Sequence, residues 1–275
     1  MAEFDFKKSM LPHNRKELFF DIIKNHYRIL MIVGLILLGF SVPILVVSFI
    51  SDYQLAILTT QLAKGEITEE FYRANYISFS FYMDLFKAIA LAILGVGVGG
   101  VLKIIKNLCY LEPVFIGYDF KNGLKNNWLS MSILFLIVGI FNAASTLIFN
   151  VVDSPIVTGI TIPLIFVVLY PPLFLMISNI AIYSYKFHKR IYMSFLLYVK
   201  YLFQTLGLFI VTSLPFLLFF IPNLAIKYGL FIILCIFIIP MEYIGQFLYS
   251  CFVFDKTINQ YHFPQLVDKG INRIK

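Results

Sequence analysis

Charged side chains are scarce in this sequence of 275 residues, where Asp, Glu, Lys and Arg together make up 13% of the chain. A typical soluble domain is about a quarter charged, and about half of its residues are apolar. Here 60% of the residues are hydrophobic. The composition therefore excludes an ordinary soluble globular domain and predicts an integral membrane protein.

Cysteine and the common catalytic motifs are equally scarce. The 3 cysteines form no Cys-x-x-Cys pair, which excludes a disulfide framework. The 4 histidines are scattered, and no HExxH, GxSxG or phosphate-loop pattern is present. We therefore predict no metal, no cofactor and no enzymatic activity. The net charge of +7 comes without a basic patch interleaved with aromatic residues, so we predict no nucleic-acid partner.

Six apolar runs are each long enough to cross a hydrocarbon core of roughly 30 Å as a helix. The predicted spans are 29–50, 82–102, 129–149, 156–183, 202–221 and 229–254. They form a membrane domain over 29–254, flanked by polar segments at 1–28 and 255–275. Residues 51–81 are predicted to form a small extracellular excursion with a helix capped by Thr68. The pair Pro171–Pro172 should kink or break the fourth span, because proline has no backbone N–H.

Lys and Arg are distributed unevenly between the segments that join the spans. Eighteen of the 22 lie before the first, third and fifth spans or after the sixth. By the positive-inside rule these segments face the cytoplasm. The sequence therefore predicts an all-α bundle of six transmembrane helices in three hairpins, with both termini cytoplasmic.

Each odd-numbered span is preceded by a basic and aromatic segment, at 19–28, 118–128 and 185–201. Such segments are typical of amphipathic helices that lie on the bilayer surface. The residues around the middle segment that could form a cytoplasmic interface are Glu112, Asp119, Lys121, Lys125 and Trp128. They could contact a protein partner or anionic lipid headgroups, and we favour the lipid interpretation.

The second span carries small residues at helical spacing, which are Ala88, Ala92, Gly95 and Gly99. Small residues at this spacing allow a neighbouring helix to approach closely. Near the outer end of the same span, Asp84 and Lys87 are three residues apart and are predicted to form an interfacial ion pair.

Glu242 falls near the middle of the sixth span, where an ionisable side chain is costly and marks a candidate functional site. Gln246 and Tyr249 follow on the same helical face. Asn142 of the third span and Asn179 of the fourth could complete this intramembrane polar site. Two interpretations stay open: Glu242 serves a transported substrate, or it is a protonated side chain that hydrogen-bonds a neighbouring helix.

Three stretches resemble the YesL family of bacterial integral membrane proteins. The run FKNGLKNNW at 120–128 precedes a middle span, a basic loop within 180–207 precedes the next hairpin, and VFDK at 253–256 closes the last span. The first third of the chain departs from the pattern of that family. The resemblance implies a protein of the bacterial plasma membrane that assists carbohydrate uptake. It implies no catalytic residues.

Two functions follow as expectations. The first is a non-enzymatic accessory or interaction component associated with carbohydrate uptake or sensing, whose partners are the lipid bilayer and a carbohydrate transporter or membrane sensor. The alternative is a small transporter or channel with a site at the bilayer midplane around Glu242. A water-accessible polar cavity beside Glu242 would favour the alternative.

Overall fold

The computed structural model of the chain describes residues 11–152 and 154–272. The outermost parts of the two terminal segments, 1–10 and 273–275, lie outside the described residues, as does Asp153. The main helices, in chain order, are α1 Arg15–Ala63, α2 Glu69–Cys109, α3 Ile116–Val151, α4 Pro155–Leu164, α5 Tyr170–Ile182, α6 Phe187–Lys200, α7 Leu202–Ser213, α8 Leu224–Ile233 and α9 Ile239–Phe254.

Within the described residues, six helical stretches are long and apolar enough to cross a membrane. They are α1, α2, α3, the pair α4–α5, the stretch Leu202–Phe220 and the stretch Leu224–His262. This confirms the predicted multi-pass, all-helical class. The most apolar window of α2 is 61% buried, against 17–28% for the other five, so α2 is the central helix. The other helices expose large apolar side chains, as expected for surfaces that face lipid.

The predicted excursion at 51–81 is formed by the continuation of α1 and α2 beyond their predicted spans. The helices are joined by a short turn in which Gly65 has a φ of 72°. Thr68 caps α2 and accepts a hydrogen bond from the N–H of Phe71 at 3.2 Å. The predicted cap is therefore confirmed, and the excursion is a helical hairpin.

The basic segments that precede the odd-numbered spans differ in structure. In α1, His26 has non-helical backbone angles, so a kink separates the basic segment from the apolar part. The segment 118–128 is the first part of the unbroken helix α3 and is not a separate helix. Only α6 is a short amphipathic helix of its own, which ends at Lys200 and is separated from α7 by Tyr201.

The close packing of α2 against α3 depends on glycine. A Cβ atom on Gly95 would lie 2.7 Å from the carbonyl oxygen of Met131, and one on Gly99 would lie 3.2 Å from the backbone of Asn127. From the other side, a Cβ on Gly123 would lie 2.9 Å from the carbonyl oxygen of Gly99. Gly95 and Gly99 of the second span therefore pack as predicted, with α3 as their neighbour.

We expect Gly123→Ala to lower the free energy of unfolding by about 1–3 kcal/mol, because its methyl group would force the two backbones apart. Gly39→Ala in the interior of α1 is the matched control, since a Cβ there meets nothing within 4 Å. Both variants gain the same helix propensity, so only packing distinguishes them. The free energy of unfolding of each variant is measured in mixed micelles, and the two values are compared. Equal stability of the two variants would contradict this view of the contact.

Candidate functional site

The last three spans are interrupted within the membrane domain, whereas α2 and α3 are continuous. A π-helical turn, Ile165–Leu169, separates α4 from α5, and a second one, Leu234–Ile238, separates α8 from α9. In the fifth span, α7 changes to a 3₁₀ helix at Leu214–Phe220. A proline lies close to each of these changes of helix type. Because proline has no N–H, it cannot donate the backbone hydrogen bond that a regular α-helix would make to the preceding turn. The predicted break in the fourth span is thus confirmed.

The backbone at each of the two π-helical turns contacts a residue of a neighbouring helix. The hydroxyl of Tyr198 in α6 donates a hydrogen bond to the carbonyl of Val167, four residues before Pro171. In α1, Gly34 lies directly against the π-helical turn before α9, where any Cβ would overlap Ile236. The two π-helical turns therefore each contact a specific neighbouring helix.

A cavity of about 360 Å³ lies between α1–α3 and the interrupted spans. Most of its lining is apolar and aromatic. The polar residues that line it include Ser41, Asn142, Tyr170, Thr212, Glu242 and Gln246. Two of them follow the interruptions directly, since Tyr170 begins α5 and Glu242 lies in the first turn of α9.

The polar groups of the cavity differ in whether they have partners. The hydroxyl of Tyr170 donates to Oδ1 of Asn142 at 2.5 Å, and the hydroxyl of Thr212 bonds to carbonyls of its own helix. The side chains of Glu242 and Gln246 make no hydrogen bond or ion pair with any residue that the structure describes, although the backbone carbonyl of Gln246 accepts a hydrogen bond from the hydroxyl of Ser250 at 2.8 Å. The cavity therefore contains a carboxyl group and an amide that can bind a guest molecule.

The predicted intramembrane residues are divided between three places. Glu242, Gln246 and Asn142 line the same cavity, although they come from α9 and α3. Tyr249 lies beyond it, where its hydroxyl is 2.7 Å from that of Thr205. Asn179 is fully buried, and both polar atoms of its amide lack a hydrogen-bond partner among the described residues. The sequence analysis missed Tyr170, although it directly precedes the Pro171–Pro172 pair.

The predicted cytoplasmic interface is also divided. Glu112 accepts a hydrogen bond from Nζ of Lys269 at 2.5 Å. Asp119 is buried at the start of α3. Its carboxylate accepts a hydrogen bond of 2.8 Å from the backbone N–H of Phe115. Lys121, Lys125 and Trp128 are exposed together on α3. Only these three are thus available to a partner or to lipid headgroups.

An ion pair that the sequence analysis did not identify joins the two ends of the described chain. Arg15 donates from Nη2 to Asp255 at 2.8 Å and from Nη1 to the carbonyl of Lys269 at 2.7 Å. Asn259 donates to the other oxygen of Asp255 at 2.8 Å and accepts the hydroxyl of Tyr183 at 2.5 Å. We call these four side chains, Arg15, Tyr183, Asp255 and Asn259, the Asp255 cluster. It connects α1, α5 and the end of the sixth span.

A second buried cation fixes α6 near this cluster. Arg190 donates to Oγ of Ser130 at 3.2 Å and to the carbonyl of Tyr183 at 3.0 Å. Burial lowers the pKa of its guanidinium, which nevertheless starts from a value far above neutrality.

At the opposite end of the bundle, Asp52 accepts hydrogen bonds from Lys227 and Tyr228. The predicted pair of Asp84 and Lys87 is confirmed, with 2.9 Å between Nζ and Oδ1.

No family model, characterised protein or solved structure matches the chain. The resemblance to the YesL family therefore stays a prediction.

Asp255→Asn should lower the free energy of unfolding by about 3 kcal/mol or more, because it leaves the largely buried Arg15 without its counter-ion. Glu66→Gln is the matched control. It removes the same kind of charge from an exposed pair with Lys64, and we expect less than about 1 kcal/mol. Unfolding in mixed micelles compares the two. A small effect of Asp255→Asn would show that the Asp255 cluster does not hold the bundle together.

Proposed function

We propose that the protein is a non-enzymatic carrier that binds a small, mostly apolar molecule in the cavity and moves it across the bilayer. The observation that supports this proposal is the unpartnered Glu242, which lines the cavity near the middle of the sixth span. An ionisable group at this depth is costly. A purely structural carboxyl would be expected to hydrogen-bond a neighbouring helix, and no described residue provides that bond.

The proposed orientation places both termini in the cytoplasm of a bacterium, with the spans arranged as three hairpins in the plasma membrane. Contacts between distant segments support this arrangement. Three such contacts lie at one end of the bundle, and they join Pro12 to Asn272, Arg15 to Asp255, and Glu112 to Lys269. Asp52 and Lys227 meet at the other. The first of these ends carries most of the Lys and Arg residues.

The accessory role in carbohydrate uptake or sensing stays a prediction. Of the residues that could contact a protein partner, Glu112 and Asp119 already accept hydrogen bonds from other residues of the chain. The exposed side chains that remain, Lys121, Lys125 and Trp128, are basic and aromatic. Such side chains are enriched at the bilayer interface, so this surface supports contact with lipid more than with a protein.

A single cysteine at position 242, in a background that lacks Cys109, Cys235 and Cys251, should be labelled by a membrane-impermeant methanethiosulfonate reagent. The reason is that a carrier exposes its site to water from at least one side. Labelling is measured in intact cells and in inverted vesicles. The matched control is Ile244→Cys in the same background, because Ile244 is fully buried and does not line the cavity. Absence of labelling at 242 from both sides, in folded protein, would reject the carrier.

Glu242→Gln should change the free energy of unfolding by less than about 1 kcal/mol. The amide has the shape of the carboxyl group, and the substitution removes no hydrogen bond or ion pair to a described residue. Asp255→Asn is the comparison, since it makes the same chemical change at a partnered site. A loss of several kcal/mol for Glu242→Gln would identify Glu242 as a structural residue.

A further inference from the structure

The charge of the cavity indicates the class of molecule that it binds, and this step rests on the proposed function. Among the described residues that line the cavity, Glu242 is the only one with an ionisable acidic or basic group of the Asp, Glu, Lys, Arg or His type. An isolated carboxylate in an apolar environment is strongly disfavoured unless it is protonated or a cation is beside it. Since no described residue that lines the cavity provides such a cation, a bound molecule can provide it.

The remaining lining suits an organic cation. Aromatic rings surround the space, and they include Phe135, Tyr170, Phe174, Phe209, Phe216 and Phe231. The rings of Tyr170 and Phe209 are stacked with centroids 6.0 Å apart, and that of Phe174 lies 5.8 Å from Phe209. The faces of aromatic rings attract cations, above all those whose charge is shielded by carbon groups.

Other classes of guest fit less well. A transition-metal ion requires several imidazole, thiolate or carboxylate ligands, and no group of three His, Cys, Asp or Glu side chains that could hold one exists among the described residues. An anion would be repelled by Glu242. A neutral apolar molecule would offer the carboxylate no counter-charge and would require the carboxyl group to be protonated. The volume of about 360 Å³ falls in the range that small organic ligands occupy.

We propose that the cavity binds a monovalent organic cation with an apolar body, whose charge pairs with the carboxylate of Glu242 and whose body lies against the aromatic rings around Phe209.

Binding of three probes of similar shape and different charge to the purified protein in lipid nanodiscs tests this proposal. The probes are tetraphenylphosphonium, a cation; tetraphenylsilane, which is neutral; and tetraphenylborate, an anion. We expect the cation to bind most tightly. Glu242→Gln should weaken its binding at least about tenfold, since the loss of one partner of a desolvated charge pair has an effect of this size or more.

Two controls accompany the measurement. Glu66→Gln makes the same substitution on an exposed turn and should leave binding of the cation unchanged. Empty nanodiscs measure the partition of each probe into lipid. The stability of Glu242→Gln, measured as described above, shows that the variant is folded.

The outcomes separate this inference from the proposed function. Equal binding of the three probes, or binding of the cation that Glu242→Gln does not change, would overturn the inference and leave a cavity that binds apolar guests. Failure of all three probes to bind, together with labelling of a cysteine at position 242, would overturn the inference and leave the carrier. Failure to bind together with absence of labelling would overturn both.

Discussion

A hydrocarbon medium offers no water to an unpaired peptide group, and the last five spans meet this constraint in two different ways. The helices α2 and α3 keep an unbroken ladder of backbone hydrogen bonds, which lets their glycines bring the two backbones into contact. The last three spans are interrupted near proline and leave backbone groups for other partners. The bond from Tyr198 to Val167 is one such replacement. The cavity lies where the continuous and interrupted helices meet.

This division explains why the cavity persists. Helices that pack through glycine cannot shift toward the empty space without losing close contacts along their whole length. On the opposite side, the π-helical turns change the direction in which the following residues point. Tyr170 and Glu242 both follow such a turn, and both line the cavity. The irregular backbone is thus found where two polar side chains enter the apolar cavity.

The features that the sequence predicts correctly are those decided within a few residues. The spans follow from apolar length, the cap at Thr68 from the turn before it, and the break in the fourth span from Pro171. The polar site depends on tertiary packing and was predicted only in part. Tyr249 follows Gln246 by one turn but lies against Thr205, beyond the cavity. The Asp255 cluster joins residues 240 positions apart, and no local pattern indicates such a pairing.

The two acidic residues of the sixth span show how structure and function separate on one helix. Asp255 is surrounded by donors from Arg15, Asn259 and the backbone of Asp268, so its charge is matched within the fold. Glu242 lies 13 residues earlier, deeper in the membrane domain, and has no such partner among the described residues. The burial of a carboxylate costs free energy that a partner or a bound proton offsets. The fold provides the partner at Asp255, whereas no described residue provides one at Glu242, so the same type of group is placed in two different electrostatic environments on one helix.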